Sequence, residues 1–251
     1  MTKVLTDSSN YTAIASAIRT KLGVQTTYKP SDMADAIAGI TDGSASAPEL
    51  AASTQANILV LAHRGNFDGT TDWDGLTISS LEQAAPNYGC IYFTQSGYAT
   101  YVLSAANSSF TAYIVCNAIN PNSQYGRIVT AQNAASNGNE PNINLHNGKA
   151  YISIYGSDYD TGIYGQEQHV YAVSVDASAK LADFYIDGVS VKSDFSFNNS
   201  GQTVSFGATH TGSDGVSLIV YAIAIVSGAE DSTTVIANQQ ALMDFFGIDS
   251  Q

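Results

Sequence analysis

The sequence predicts a mainly β protein: an antiparallel sandwich of many short strands preceded by a small two-helix module. Three observations predict it. From about Asn57 onward, apolar and polar residues alternate in short runs, the period of strands with one buried face. Asn147-Gly148 and Asp187-Gly188 sit between such runs, and both residues of these pairs tolerate the positive φ of a tight hairpin turn. Before residue 44 the apolar spacing is instead helical.

The elements come in this chain order. Tyr11, Ile14, Ala15, Ile18 and Leu22 fall on one helix face; Ser8 or Ser9 caps its start and Gly23 ends it. A second short helix runs from about Asp32 to Ile40, behind Pro30 and Ser31, with Met33, Ile37 and Ile40 as its stripe. Two helices this short need partners, because nucleation is costly. Residues 1–43 therefore read as an attachment or oligomerisation module, 44–56 as a small-residue linker, and 57–251 as the sandwich. Within it, Phe110–Cys116, Ala150–Tyr155, Val170–Val175, Thr203–Gly207 and Leu218–Val226 read as strands, and Asp183–Val191 as a hairpin. The last run is apolar on both faces in its second half, which places it in the buried centre of a sheet. Asp231 or Ser232 caps a closing helix with Val235, Ile236, Met243 and Phe246 among its apolar positions, and Gly247 ends it.

Composition narrows the partners. Only 12% of the 251 residues are charged, and the net charge is −13. A nucleic-acid backbone or an anionic membrane surface is repelled by such a chain. The N-terminus shows no apolar signal-peptide region, and Leu218–Val226, the longest apolar run, is too short to span a bilayer. The polar surface must be built from Ser, Thr, Asn, Gln and Tyr, a mix suited to recognition. Cys90 and Cys116 each lie in a β-like run and read as buried free thiols, with a disulfide as the alternative.

Two stretches carry a resemblance. Tyr11–Gly23 with Tyr28–Ile40 after it resembles a helical module of phage and prophage structural proteins, often found near the end of tail or fibre proteins. His169–Val175, Ala182–Val191 with its Tyr-x-Asp-Gly turn, Val204–Gly207, Ser217–Ile225 and the closing helix are similar to the second half of a laminin-G-like (concanavalin A-like) jelly roll. The resemblance implies a virion protein of a tailed bacteriophage, assembled in the host cytoplasm without a signal peptide. Its residues 1–43 would engage other virion proteins and assemble a homo-oligomer, a trimer by analogy with phage fibres. Its jelly roll would bind a surface glycan as a receptor-binding or tail-fibre component. A ligand-free decoration protein and a glycan depolymerase are the alternatives.

Residues able to carry chemistry are few. No strand presents the paired carboxylates of a retaining glycosidase; Asp183 with Asp187, and Glu167 with His169, are the nearest pairs and read as surface and turn groups. His63, His146, His169 and His210 have no nucleophile motif around them and read as loop or strand-surface residues. A non-enzymatic chain is therefore expected. The loop Asn66–Gly75 offers Asp68, Asp72 and Asp74 as oxygen ligands for calcium, the one cofactor considered, against a solvated Asx-rich turn. Trp73 in that loop, and Tyr151, Tyr155, Tyr159 and Tyr164, are candidate platforms for sugar rings, or else cover the outer sheet.

Overall fold

The computed structural model describes residues 47–63, 72–82, 90–119, 125–132, 140–154, 157–198, 201–209 and 211–249. The chain divides into two compact units, 1–46 and 47–251, and all the described residues belong to the second. The predicted two-helix module lies outside them.

Fourteen strands are described: β1 (Ile58–His63), β2 (Asp72–Trp73), β3 (Leu76–Glu82), β4 (Ile91–Val102), β5 (Phe110–Ala118), β6 (Gly126–Gln132), β7 (Asn142–His146), β8 (Lys149–Ile154), β9 (Ser157–Tyr164), β10 (His169–Asp176), β11 (Leu181–Ile186), β12 (Val189–Ser196), β13 (Thr203–Phe206) and β14 (Leu218–Ser227). The helices are α1 (Ala52–Gln55) and α2 (Ser232–Phe246). All strand pairs are antiparallel, in the order β12-β11-β10-β5-β14-β4-β13-β6-β7-β8-β9. β1 lies on β14, and β3 carries β2 onto β4.

This order folds into two wings. β4 is the corner: Ile91–Phe93 pair with β14, while Ala99–Val102 pair with β13. One core fills the space between the wings. Ile143, Leu145, Ile152, Val204 and Phe206 enter it from one side; Ala112, Ile114, Val173, Phe184, Ile223 and Ile225 enter from the other. The far ends of the order also approach, with Lys192 Nζ of β12 lying 5.8 Å from the Tyr159 ring centroid of β9. The sheet is thus nearly closed, by side chains rather than backbone bonds along that seam.

The double-sided apolarity of β14 has a direct cause. Ile223 and Ile225 face the core, while Ala222, Ala224 and Val226 lie beneath Val235, Leu242 and Met243 of α2. The Asp231 side chain caps α2 by accepting from the Thr234 amide at 2.8 Å, and Gly247 ends it at φ 67°. The Asn147-Gly148 and Asp187-Gly188 turns form as expected, with φ of 49° and 82°, and 51° and 78°.

Two expectations are corrected. Residues 47–56 are no linker: Leu50 and Thr54 are buried, and 52–55 are helical. The Ala51 amide donates to Asn238 Oδ1 at 2.8 Å, and the Thr54 hydroxyl donates to Glu230. These partners lie about 180 positions away, where no local pattern reveals them. The Asn66–Gly75 loop also ends earlier than expected. Asp74-Gly75, with φ of 52° and 89°, is the turn of a β2–β3 hairpin pairing Trp73 with Leu76.

Candidate functional site

The chemistry-bearing face is the outer face of the wing made of β4, β13, β6, β7, β8 and β9, the β4–β9 wing. Along β7, Ile143 and Leu145 enter the core, so Asn142, Asn144 and His146 point the other way. Val204 and Phe206 leave Ser205 outward, and Val129 and Ala131 leave Thr130 outward. Register then lines these up. Ser205 stands opposite Thr130, Thr130 opposite Asn142, Asn142 opposite Ser153, and Ser153 opposite Asp158. The same row extends backward from Ser205 to Thr100 and Thr77. A polar line therefore crosses seven neighbouring strands, exposed at Thr77 and Asp158 and buried in its middle.

A second row lies beside it: Arg127, Asn144, Tyr151 and Asp160. Tyr151 Oη donates to Asp160 Oδ2 at 3.2 Å, and Lys149 Nζ approaches the same oxygen at 3.3 Å. The Gly162 amide, with Lys149 and Tyr151 behind it, holds the Asp160 carboxyl below its usual value. Aromatic rings border this row. Tyr125 and Tyr151 flank His146, with centroid distances of 6.0 and 5.6 Å, and Asn144 Nδ2 donates to the Tyr125 hydroxyl. Lys149 Nζ lies 5.5 Å from the centroid of Tyr164, which is 60% exposed.

The buried middle is not internally satisfied. Arg127 Nε and Nη1, Thr130 Oγ1, Glu140 Oε2, Asn142 Oδ1, Asn144 Oδ1 and Ser205 Oγ are buried without a hydrogen-bond partner. Apart from Tyr171 Oη, these are all such side-chain atoms among the described residues. An orphaned buried polar group costs about 1–3 kcal/mol, so a cluster of them calls for waters or a ligand.

The sequence-predicted residues fare unequally. Tyr151 and Tyr164 come together with Lys149 and Asp160. Tyr159 is 44% exposed but pairs with Ile152, on the opposite face. Tyr155 and Asp68 lie outside the described residues. Trp73 is corrected: it is fully buried in the core, with its indole N–H donating to the His63 carbonyl at 3.2 Å. It alternates with the turn residues of its hairpin and is drawn inward by its own apolar area. Asp72 and Asp74 serve backbone amides, Asp72 that of Gly75 at 3.0 Å and Asp74 that of Leu61 at 2.9 Å. No group of three or more His, Cys, Asp or Glu gathers among the described residues in a way that could hold a metal. Sequence reasoning missed Thr130, Asn142, Asn144 and Ser205. The Asn-Ile-Asn-Leu-His alternation was the signal available for β7.

A further correction concerns His169 and Asp187, expected as surface and turn groups. His169 is 1% exposed. Its Nδ1 lies 2.6 Å from Asp187 Oδ2, and its Nε2 lies 2.9 Å from the Tyr164 carbonyl. Asp187 Oδ1 also accepts from the Val170 amide at 2.8 Å. This is a hairpin lock on the wing of β10, β11 and β12, reinforced by Gln239 of α2, which bonds the Gly188 amide and the Val170 carbonyl.

No family model matches the chain, and no curated protein does. Solved structures share its fold. A sialidase of Trypanosoma rangeli aligns at TM-score 0.62 and 12% identity, over 77% of this chain and 34% of the sialidase. The same enzyme in complex with 2,3-difluoro-KDN aligns at TM-score 0.61 and 11% identity, over 96% and 40%. The binding domain of botulinum neurotoxin serotype D aligns at TM-score 0.53 and 9% identity, over 76% and 53%. The chain thus spans about a third to a half of the chains it resembles, and at such identities the likeness concerns the fold alone. It overturns the expectation of a non-enzymatic chain, which rested on the missing carboxylate pair and the histidines without a nucleophile motif, because the fold this chain shares is one that sialidases use.

Proposed function

We propose that this chain recognises a surface glycan through the outer face of the β4–β9 wing. The observation that carries the reading is the join of two kinds of group on one face. Tyr125, His146, Tyr151 and Tyr164 offer ring surfaces, and Asn142, Asn144, Thr130 and Ser205 offer buried, unpartnered polar atoms. Sugars need both, since their C–H faces stack on rings while their hydroxyls seek hydrogen bonds. In this reading, residues 47–251 are a laminin-G-like jelly roll, and the molecule is a tailed-phage virion protein that residues 1–43 attach and trimerise. The phage reading rests on the helical resemblance of Tyr11–Ile40.

The test is binding of the full chain to immobilised host-surface polysaccharide. Tyr151→Ala is expected to weaken binding by about three- to tenfold, the loss of one ring contact and one hydrogen bond. Unchanged binding in Tyr151→Ala and Tyr164→Ala together would remove the site. Light scattering checks assembly: a trimer is expected, and a monomer contradicts it.

A second reading, hydrolysis of the bound glycan, is favoured by the likeness to sialidases. Reducing-end release from the same polysaccharide on incubation with the chain distinguishes it from recognition alone.

A further inference from the structure

We infer that the ligand of this face is an uncharged, hydroxyl-rich saccharide chain lying across β13, β6, β7, β8 and β9, its hydroxyls meeting the buried polar row. This rests on the glycan-binding reading and names the class of glycan and its path. The orphaned atoms are chemically mixed. Arg127 Nε and Nη1 can only donate; Glu140 Oε2 (as a carboxylate), Asn142 Oδ1 and Asn144 Oδ1 can only accept; the Thr130 and Ser205 hydroxyls do either. An anion only accepts, and an ammonium group only donates, so neither satisfies the mixed set. A hydroxyl does both.

The row also has a direction. Ser205, Thr130 and Asn142 succeed one another through cross-strand pairs, so the row runs perpendicular to the strands. At about 4.8 Å per strand, the line from Ser205 to Asp158 covers roughly 19 Å. That suits several linked rings rather than one terminal sugar. Tyr151 and Tyr164 lie towards the β8–β9 end, where a ring can stack before the chain continues over the polar floor. Charge favours a neutral ligand. A net charge of −13 opposes a ligand carrying a carboxylate on every repeat. Tyr125, whose hydroxyl accepts from the Asn144 amide, stands beside the row at its β7 position.

The experiment is a panel of neutral hexasaccharides of glucose, galactose, mannose and N-acetylglucosamine, beside uronic- and sialic-acid-containing hexasaccharides, titrated into the full chain. Binding is expected for a neutral member, at least tenfold tighter than for its disaccharide. Thr130→Val and Ser205→Ala are each expected to weaken that binding about three- to tenfold and to leave the melting temperature equal or higher, since each removes an orphaned hydroxyl. If both variants melt lower and bind as before, the row is a hydrated structural layer, and the inference fails while the glycan reading stands on Tyr151. Preference for the acidic members overturns the inference in the same way. Binding of no saccharide sinks both.

Discussion

His169 shows how much one buried side chain can commit a structure. Both ring nitrogens face groups that only accept, a carboxylate and a carbonyl, so both must carry hydrogen and the ring is satisfied as an imidazolium. Burial pulls its pKa down, but the hydrogen bond and charge of Asp187, with the Tyr164 carbonyl and Glu167, outweigh it and hold the value above the ordinary 6.5. A raised folded-state value means the stabilisation is complete below pH 6.5 and is lost as pH rises through the folded value. The melting temperature should therefore fall as pH rises above 6.5, and His169→Gln should flatten that dependence. The same variant leaves Asp187 buried without its cation and should cost about 3 kcal/mol in urea unfolding. None of this was legible from the sequence. A histidine opening a strand looks like a surface residue until the hairpin 18 positions on folds back over it. Trp73 misled in the opposite sense, because polar turn residues on both sides hid its inward direction.

Elements were easier to read than sites. The strands β5, β8, β10, β13 and β14, the two predicted hairpin turns and the closing helix carried strong local signals, alternation, Asn-Gly and Asp-Gly pairs, and an Asp cap, while β6 and β9 did not. The long β4 did not, since it serves both wings and changes partners along its length. The polar row was half legible. Asn142 and Asn144 alternate visibly with Ile143 and Leu145, but their alignment with Ser205 depends on β13 reaching β6 across more than 70 residues. Caps and turns can be tested one at a time. Asp231→Ala should lose about 1 kcal/mol by uncapping α2, measured by chemical denaturation. Gly215→Ala should lose about 3 kcal/mol or fail to fold, because its new methyl would lie 1.8 Å from the Gln95 carbonyl oxygen, a backbone atom that cannot turn away. Gly75→Ala, with open space around it, should lose only the smaller cost of its positive φ, about 1 kcal/mol.

At the scale of the whole unit, one core joins both wings, and both thiols are buried with it. Cys90 and Cys116 are free, and burial pushes both thiols above their ordinary value. Reductant should leave the melting temperature unchanged. Iodoacetamide should label Cys116 at the rate of global unfolding, read by mass spectrometry over a urea series; fast labelling of the native chain would mean that the β5–β14 region opens locally. The burial of these two residues was legible because each sits in an apolar strand run.

β1 and β14 lie side by side and antiparallel, with Ile58 opposite Val226. Tension applied at 47 and 249 would therefore reach their hydrogen bonds from the same end, one after another, like a zip rather than all together in shear. What stands ahead of the zip is the clamp in which Thr54, Tyr113 and Asn238 converge on Glu230. This clamp resists tension along that axis beside the apolar packing of α2, and Glu230→Ala should lower the rupture force in a pulling experiment more than a substitution in the β4–β9 wing.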